Sequence, residues 1–140
     1  MELSKDVHQA LQQTRICILS TTGPGDWPHS IPMWYRYRGG VITFSTSRRS
    51  QKFLNVSRTG KATVVIDDRA PPYYAVMIRG EAETGPGLSR DEEYEIALRY
   101  LGAAKVGAFM ALYDAGGHDD ATINVRPTKV AEFQSASAGA

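Results

Sequence analysis

The sequence predicts a mainly β, α+β fold: six or seven antiparallel strands that close into a small barrel, with a few short helices at the margins. Three observations predict it. Runs of β-branched and apolar residues alternate with Gly/Pro-rich turn signals. Consecutive runs are separated by hairpin-length connections, which join antiparallel neighbours. Helical periodicity is confined to short flanking segments, and no repeat or long linker divides the chain, so few residues are left for anything but closing the sheet on itself.

Taken in order, Ser4 to Gln13 reads as a short helix, with Ser4 as cap and Val7 and Leu11 on one face. Arg15 to Thr21 is a strand apolar on both sides, expected in the sheet interior. Thr22 to Pro28 carries two glycines and two prolines and turns the chain. His29 to Arg38 is expected as one strand, Gly39-Gly40 as a two-residue hairpin, and Val41 to Thr46 as the return strand. A helix from Ser50 to Arg58 follows, with Phe53, Leu54 and Val56 as its apolar contacts. Gly60 ends it at the C′ position.

Lys61 to Asp67 is a strand, Asp68 to Pro72 breaks the chain, and Tyr73 to Thr84 is a long strand in which Gly80 marks a bulge or close backbone approach. Gly85 to Leu88 turns. Ser89 and Glu92 have capping-box spacing and open a helix through Tyr100 or Leu101. Val106 to Tyr113 is expected as another helical segment and Gly116 to Asp120 as a loop. Ala121 to Arg126 and Thr128 to Phe133 read as two closing strands separated by Pro127. Residues 1–134 are thus expected as one domain and 135–140 as a flexible Gly/Ala/Ser tail.

Sixteen basic and 15 acidic residues leave a net charge of +1, which lacks the basic excess of a nucleic-acid binder. The single cysteine, Cys17, forms no internal disulfide and no structural zinc site, and no stretch has the length of a membrane span. A cytoplasmic protein with no membrane or nucleic-acid partner is the expectation.

The most informative segment is Thr46-Ser47-Arg48-Arg49-Ser50-Gln51-Lys52, which joins a strand to a helix start. Free N–H groups and the dipole at a helix N-terminus attract anions, and here three hydroxyls and three cations are added to them. Arginine grips phosphate with parallel hydrogen bonds, while lysine adds a point charge. The same residues also suit a solvated basic turn with Ser50 as a plain cap. The second segment is Ile31-Pro32-Met33-Trp34-Tyr35. Its proline indicates an edge or bend, and its aromatic residues offer flat surface either to a ring-shaped ligand or to the core. His118-Asp119-Asp120 lacks paired zinc spacing and reads as a solvated loop, so no metal site is expected. Cys17 sits mid-strand and reads as buried core.

In these pieces and their order the chain resembles the pyridoxamine 5′-phosphate oxidase-like split β-barrel superfamily and, within it, the flavin/deazaflavin oxidoreductases of group B. The similar pieces are Ile18-Leu19-Ser20-Thr21, Pro28 to Tyr35, Ile42 to Thr46, Ser50 to Asn55, Ile78 to Ala82 and Ile123 to Pro127. Two departures stand out: Asp26-Trp27-Pro28 replaces the family's frequent Asp-Gly-x-Pro turn, and Gly60 stands where a proline often follows the helix.

The resemblance implies a homodimer with two cofactors in grooves at the subunit interface. It matches Thr46, Ser47, Arg48, Arg49, Ser50 and Lys52 to the phosphate-binding stretch. Pro32, Met33 and Trp34 match the strand beside the ring, and Asn55 a helix position near the cofactor. Tyr73, Tyr74 and Arg79 are positioned to reach the groove of the partner. The implied activity is an F420-dependent oxidoreductase passing a hydride between the deazaflavin and an unsaturated small molecule. An FMN-dependent oxidoreductase and a non-catalytic flavin- or F420-binding protein are the alternatives. A vitamin B6-phosphate oxidase would need further C-terminal arginines, where this chain has Arg126 alone. No residue is assigned a catalytic role at this level. The substrate pocket is expected from the loops 68–72 and 115–120.

Overall fold

A computed structural model describes residues 1–135; of the expected tail, 136–140 lie outside the described residues. Seven strands form one antiparallel sheet: β1 (Cys17–Thr22), β2 (Pro28–Met33), β3 (Arg36–Arg38), β4 (Val41–Ser47), β5 (Lys61–Asp68), β6 (Tyr73–Pro86) and β7 (Asp120–Ser135). Their order across the sheet is β2-β1-β5-β6-β7-β4-β3. Four helices accompany them: α1 (Lys5–Gln12), α2 (Gln51–Thr59), α3 (Arg90–Leu101) and α4 (Ala103–Ala115).

The sheet is closed by a connection that the sequence reading missed. The expected single strand from His29 to Arg38 is two strands on opposite edges of the sheet, β2 and β3, joined only by Trp34 and Tyr35. Three residue steps from Met33 to Arg36 span at most about 11 Å, so the two sheet edges must meet there, and the sheet curls into a barrel split beside this corner. Buried hydrogen bonds hold the corner. The Tyr35 hydroxyl donates to the Leu11 carbonyl at 2.9 Å, its N–H donates to the Tyr100 hydroxyl at 3.2 Å, and Tyr100 donates to the Arg15 carbonyl at 2.6 Å. Tyr35 is fully buried, and this desolvation raises the pKa of its hydroxyl.

The C-terminal pair of expected strands is one strand. β7 runs through Pro127 without a break, and the register against β6 shifts between Arg79 and Gly80. There Arg79 faces Lys129 while Gly80 faces Pro127, so Thr128 is the extra residue of a bulge. A bulge accommodates a proline because the missing N–H is not demanded by the ladder. Gly80 is required by the close approach: a Cβ there would stand 2.5 Å from Val125 Cγ1 and 2.6 Å from the Arg126 carbonyl.

Local signals elsewhere hold. Ser4, Ser50 and Ser89 cap α1, α2 and α3, Ser89 with Glu92 in a reciprocal box. Gly60 closes α2 in the left-handed region at φ 65°, and Gly39-Gly40 turn at φ 59° and 75°, the signature of a primed hairpin turn. α4 extends beyond the expected 106–113 by three residues on its N-terminal side and two on its C-terminal side. β1 is flanked on both sides, but only one of its faces is core: Cys17 and Leu19 are fully buried while Ile16 is 56% exposed. Burial pushes the Cys17 thiol up to about 12, the behaviour of an inert core cysteine.

The barrel core gathers Leu19, Phe44, Val64, Ile66, Val76 and Ile78 from four strands, with Leu11 of α1 and Val56 of α2 plugging it. Each such side chain contributes about 1.5–3 kcal/mol through burial. A second, smaller cluster of Ala97, Val106 and Met110 joins α3 to α4, and Trp34, Phe109 and Tyr113 pack against it.

Candidate functional site

The C-terminal half of β4, the β2–β3 corner and the α3–α4 pair enclose a cleft of about 500 Å³. Pro32, Met33 and Trp34 supply one wall, Ser45, Thr46 and Ser47 the second. Glu93 and Ile96 of α3, Phe109 and Tyr113 of α4, and Asp120 at the start of β7 complete it. Five of the ten sequence-designated residues therefore converge on one cavity. Trp34 both lines it and packs: its ring stacks on Tyr100 at 5.1 Å and meets Phe109 at 5.4 Å. Those contacts fix the indole plane and leave it half-buried at the cleft.

The strand-to-helix loop adjoins the Ser/Thr wall. Thr46 is buried and its hydroxyl bonds to Ser50 Oγ at 2.9 Å. Ser50 Oγ donates to the Ser47 carbonyl at 2.8 Å and accepts the Phe53 N–H at 3.3 Å. With Phe53 capped, the Gln51 and Lys52 N–H groups are left at the α2 N-terminus without an intrahelical acceptor.

The three cations are not equivalent. Arg48 donates its N–H to the Asp119 carbonyl at 3.0 Å and its guanidinium to the Asp120 carbonyl, with Asp119 Oδ1 at 3.8 Å. Arg49 Nε lies 3.5 Å from Asp119 Oδ2, and its side chain is 89% exposed. Among the described residues Lys52 has no carboxylate in ion-pair range. It is partly buried, and the desolvation lowers its pKa.

Asn55 points inward. It is 1% exposed, donates to Thr21 Oγ1 at 3.0 Å and accepts from Gln51 Nε2 at 2.6 Å. In this arrangement it clamps α2 to β1. The loop 68–72 contributes nothing to the cleft, and of the 115–120 region only Asp120 does.

The residues that sequence reading missed are Glu93, Ile96, Phe109 and Tyr113, while Asp120 is the end of the expected 115–120 loop. One signal was available. Glu93, Ile96, Ala97 and Tyr100 fall at i, i+3, i+4 and i+7, so an acidic residue stands in the inward stripe of α3. Glu93 is 8% exposed and accepts a hydrogen bond from Ser45 Oγ; burial raises its pKa. Tyr113 donates to Asp120 Oδ2 at 3.3 Å, and His118 Nδ1 lies 3.4 Å from the same oxygen, its ring 4.2 Å from Tyr113. The expected solvated loop is thus tied to the cleft through Asp120.

Residues 3–134 match the family model described as pyridoxamine 5′-phosphate oxidase. The chain belongs to the pyridoxamine 5′-phosphate oxidase family. Solved structures similar to this family member include an F420 reductase, at 23% identity with a TM-score of 0.73 over 92% of this chain and 98% of that one. A conserved hypothetical protein of Mycobacterium tuberculosis is 19% identical, with a TM-score of 0.73 over 96% of this chain and 86% of the other. An FAD-binding protein of Mesorhizobium loti is 15% identical, with a TM-score of 0.68 over 95% and 96% of the two chains. At these identities the similarity establishes the shared fold. No curated protein matches this family member. No helix among its described residues is long and apolar enough to cross a membrane.

Proposed function

We propose that this protein is a deazaflavin-dependent oxidoreductase that uses coenzyme F420 to reduce an unsaturated small molecule, residues 1–134 forming one cofactor-binding domain. The observation that carries the reading is Lys52, a partly buried cation with no carboxylate in ion-pair range among the described residues, in the first turn of α2, which follows the Ser45–Ser47 wall of the cleft. A desolvated, unpaired ammonium costs the fold free energy, and a phosphate placed on it offsets that cost. The Gln51 and Lys52 N–H groups add donors to the same anion. Arg49, held among the described residues by an exposed pair with Asp119, can turn to it at little cost, while Arg48 must first release the Asp120 carbonyl.

The residues fit the proposed group. The wall of Pro32, Met33 and Trp34 suits a flat ring, the Ser/Thr wall suits its polar edge, and the cavity has the size of a cofactor site. A bound deazaflavin or flavin supplies two-electron hydride chemistry. The chain binds and orients it and excludes water with Trp34, Ile96 and Phe109. The F420 reductase among the structural relatives favours the deazaflavin; the FAD-binding relative keeps FMN as the second reading.

The outer face of the sheet supports a homodimer. Pro32, Ile18, Val65, Met77 and Ala131 pair in register across five strands and form an unbroken apolar row. Ile16 and Phe133, 56% and 54% exposed, extend it. Pro32 belongs both to this row and to the cleft, so a second copy seated on the row borders the cofactor groove.

The test is a pair of titrations of purified protein, with F420 and with FMN, followed by absorbance and fluorescence. Saturable binding of F420, then oxidation of reduced F420 by a panel of enones, is expected. Saturable FMN binding with none of F420 moves the assignment to FMN. Binding without turnover leaves a cofactor-binding protein, and binding of neither removes the reading.

A further inference from the structure

The cleft contains a carboxyl group for which cofactor binding has no use. Glu93 is 8% exposed, and among the described residues no lysine or arginine lies in ion-pair range of it, because Arg36 is taken by the neighbouring Glu92 at 2.6 Å. Among the described residues the one hydrogen-bond partner of its carboxyl group is the Ser45 hydroxyl. Burying an ionised carboxylate without a cation is costly, and a protonated one can both accept from a hydroxyl and donate its own proton into the cavity.

The groups around it reinforce this. Asp120 of β7 and Glu92 of α3 add negative potential, while His118 and the Ser45 hydroxyl oppose it. Desolvation and the neighbouring Asp120 raise the pKa of Tyr113 of α4. Desolvation is the largest of the influences on Glu93 and raises the pKa of its carboxyl, which faces the same cavity as the Pro32–Trp34 wall. Two titratable groups pushed in one direction beside a ligand cleft are what general acid catalysis needs.

We infer that Glu93 is the proton donor of the reduction, delivering its carboxylic proton to the substrate carbon, or the carbonyl oxygen conjugated with it, opposite the carbon that takes the hydride. This rests on the proposed oxidoreductase reading. The substrate's C=C π bond breaks. One carbon gains a hydride from the reduced deazaflavin or flavin, and the other gains the Glu93 proton. Two electrons leave the cofactor, and the Glu93 carboxylate regains a proton from water. The substrate class is therefore a polarised alkene, such as an enone, whose carbonyl side is turned to α3.

The test uses Glu93→Gln and Glu93→Asp beside the wild-type dimer. Infrared difference titration of the cofactor-free protein is expected to show a carboxylic C=O band, absent in Glu93→Gln, that persists to higher pH than an ordinary glutamate allows. Cofactor affinity is expected to change less than about threefold in both variants, as for other substitutions off the binding contacts. With reduced F420, or FMN if that is the ligand bound, and 2-cyclohexen-1-one, Glu93→Gln is expected to lose about 100-fold or more in single-turnover rate. It should also lose the wild-type pH profile and solvent deuterium isotope effect, and Glu93→Asp should restore part of each. Wild-type rate, pH profile and isotope effect in Glu93→Gln overturn the role and leave the cofactor reading intact. A Glu93 band that ionises as an ordinary carboxylate also overturns it. Failure of both cofactors to bind, or binding with no turnover of any enone, overturns this role together with the reading beneath it.

Discussion

Replacing Lys52 by methionine separates two effects with opposite signs. The substitution keeps the length of the stem and removes the charge. If Lys52 holds a cofactor phosphate, one charge-assisted hydrogen bond is lost, worth about 1.5–3 kcal/mol, or about 10- to 150-fold in Kd. Adding Arg48→Ala brings the loss to about 2–4 kcal/mol, less than the sum of two such bonds because both groups share one anion. Without ligand the sign reverses. Desolvation lowers the folded-state pKa of Lys52 below its ordinary 10.5, so the charged form favours unfolding. That penalty is fully present below the folded pKa and fades as pH rises through it toward 10.5. The lysine is only partly buried, so the gain in cofactor-free stability stays within about 0.5 kcal/mol. The assay pairs a fluorescence titration with F420 and with FMN against urea unfolding of the cofactor-free protein. In the unfolding arm Arg49→Ala is the control: its side chain is almost fully exposed and among the described residues pairs with Asp119 alone, so a stability change of about 0–1 kcal/mol is expected. Unchanged affinity in Lys52→Met refutes the phosphate assignment. A cofactor-free variant destabilised by more than about 1 kcal/mol refutes the picture of Lys52 as an unpaired cation awaiting an anion.

Val65→Asp, at the centre of the outer apolar row, is expected to convert a dimer into folded monomers, read by analytical ultracentrifugation with circular dichroism as the folding check; a dimer of unchanged stability removes the row from the interface. Asn55→Ala leaves the buried Thr21 hydroxyl without its donor and opens a cavity between α2 and β1, and should cost about 1–3 kcal/mol in urea unfolding. Gly80→Ala forces a methyl into the Val125 side chain and the Arg126 carbonyl and is expected to cost about 1–3 kcal/mol or more. The Arg36 guanidinium and the Ser89 cap hold the Glu92 carboxyl down at about 2, so its stabilisation is full above the ordinary 4.5 and is lost as pH falls from there through about 2. In Glu92→Gln that acid-side loss should shrink in a thermal melt series, and an identical acid profile counts against the pair.

Local structure was legible because its causes are local. A serine three residues before a free N–H caps a helix, a glycine takes a positive φ, and alternation marks a strand. Ser50, Gly60, Gly39-Gly40 and the Ser89–Glu92 box all act as their neighbours in sequence dictate. The β2–β3 split was illegible because an unbroken extended run from His29 to Arg38 is compatible with one strand. Only the Tyr35 hydrogen bonds to Leu11 and Tyr100, residues 24 and 65 positions away, make the chain leave one sheet edge for the other. The β7 bulge was masked in the same way: Pro127 looks like a terminator until β6 and Gly80 are seen to press against it.

The site divides along the same line. The sequence by itself determined that a basic, hydroxyl-rich loop follows a strand at Thr46–Lys52, and that an aromatic, proline-bearing strand precedes it, since both follow from residue chemistry and adjacency. It gave all three cations equal weight. Tertiary structure distinguishes them by bringing Asp119, some 70 residues on, against Arg48 and Arg49, while Lys52 is partly buried with no carboxylate in ion-pair range among the described residues. It also set Glu93 and Tyr113 in the same cleft as Trp34, though no spacing rule links them. Burial and charge pairing depend on which distant segments the closed sheet brings together, and those two quantities decide which side chains can do chemistry.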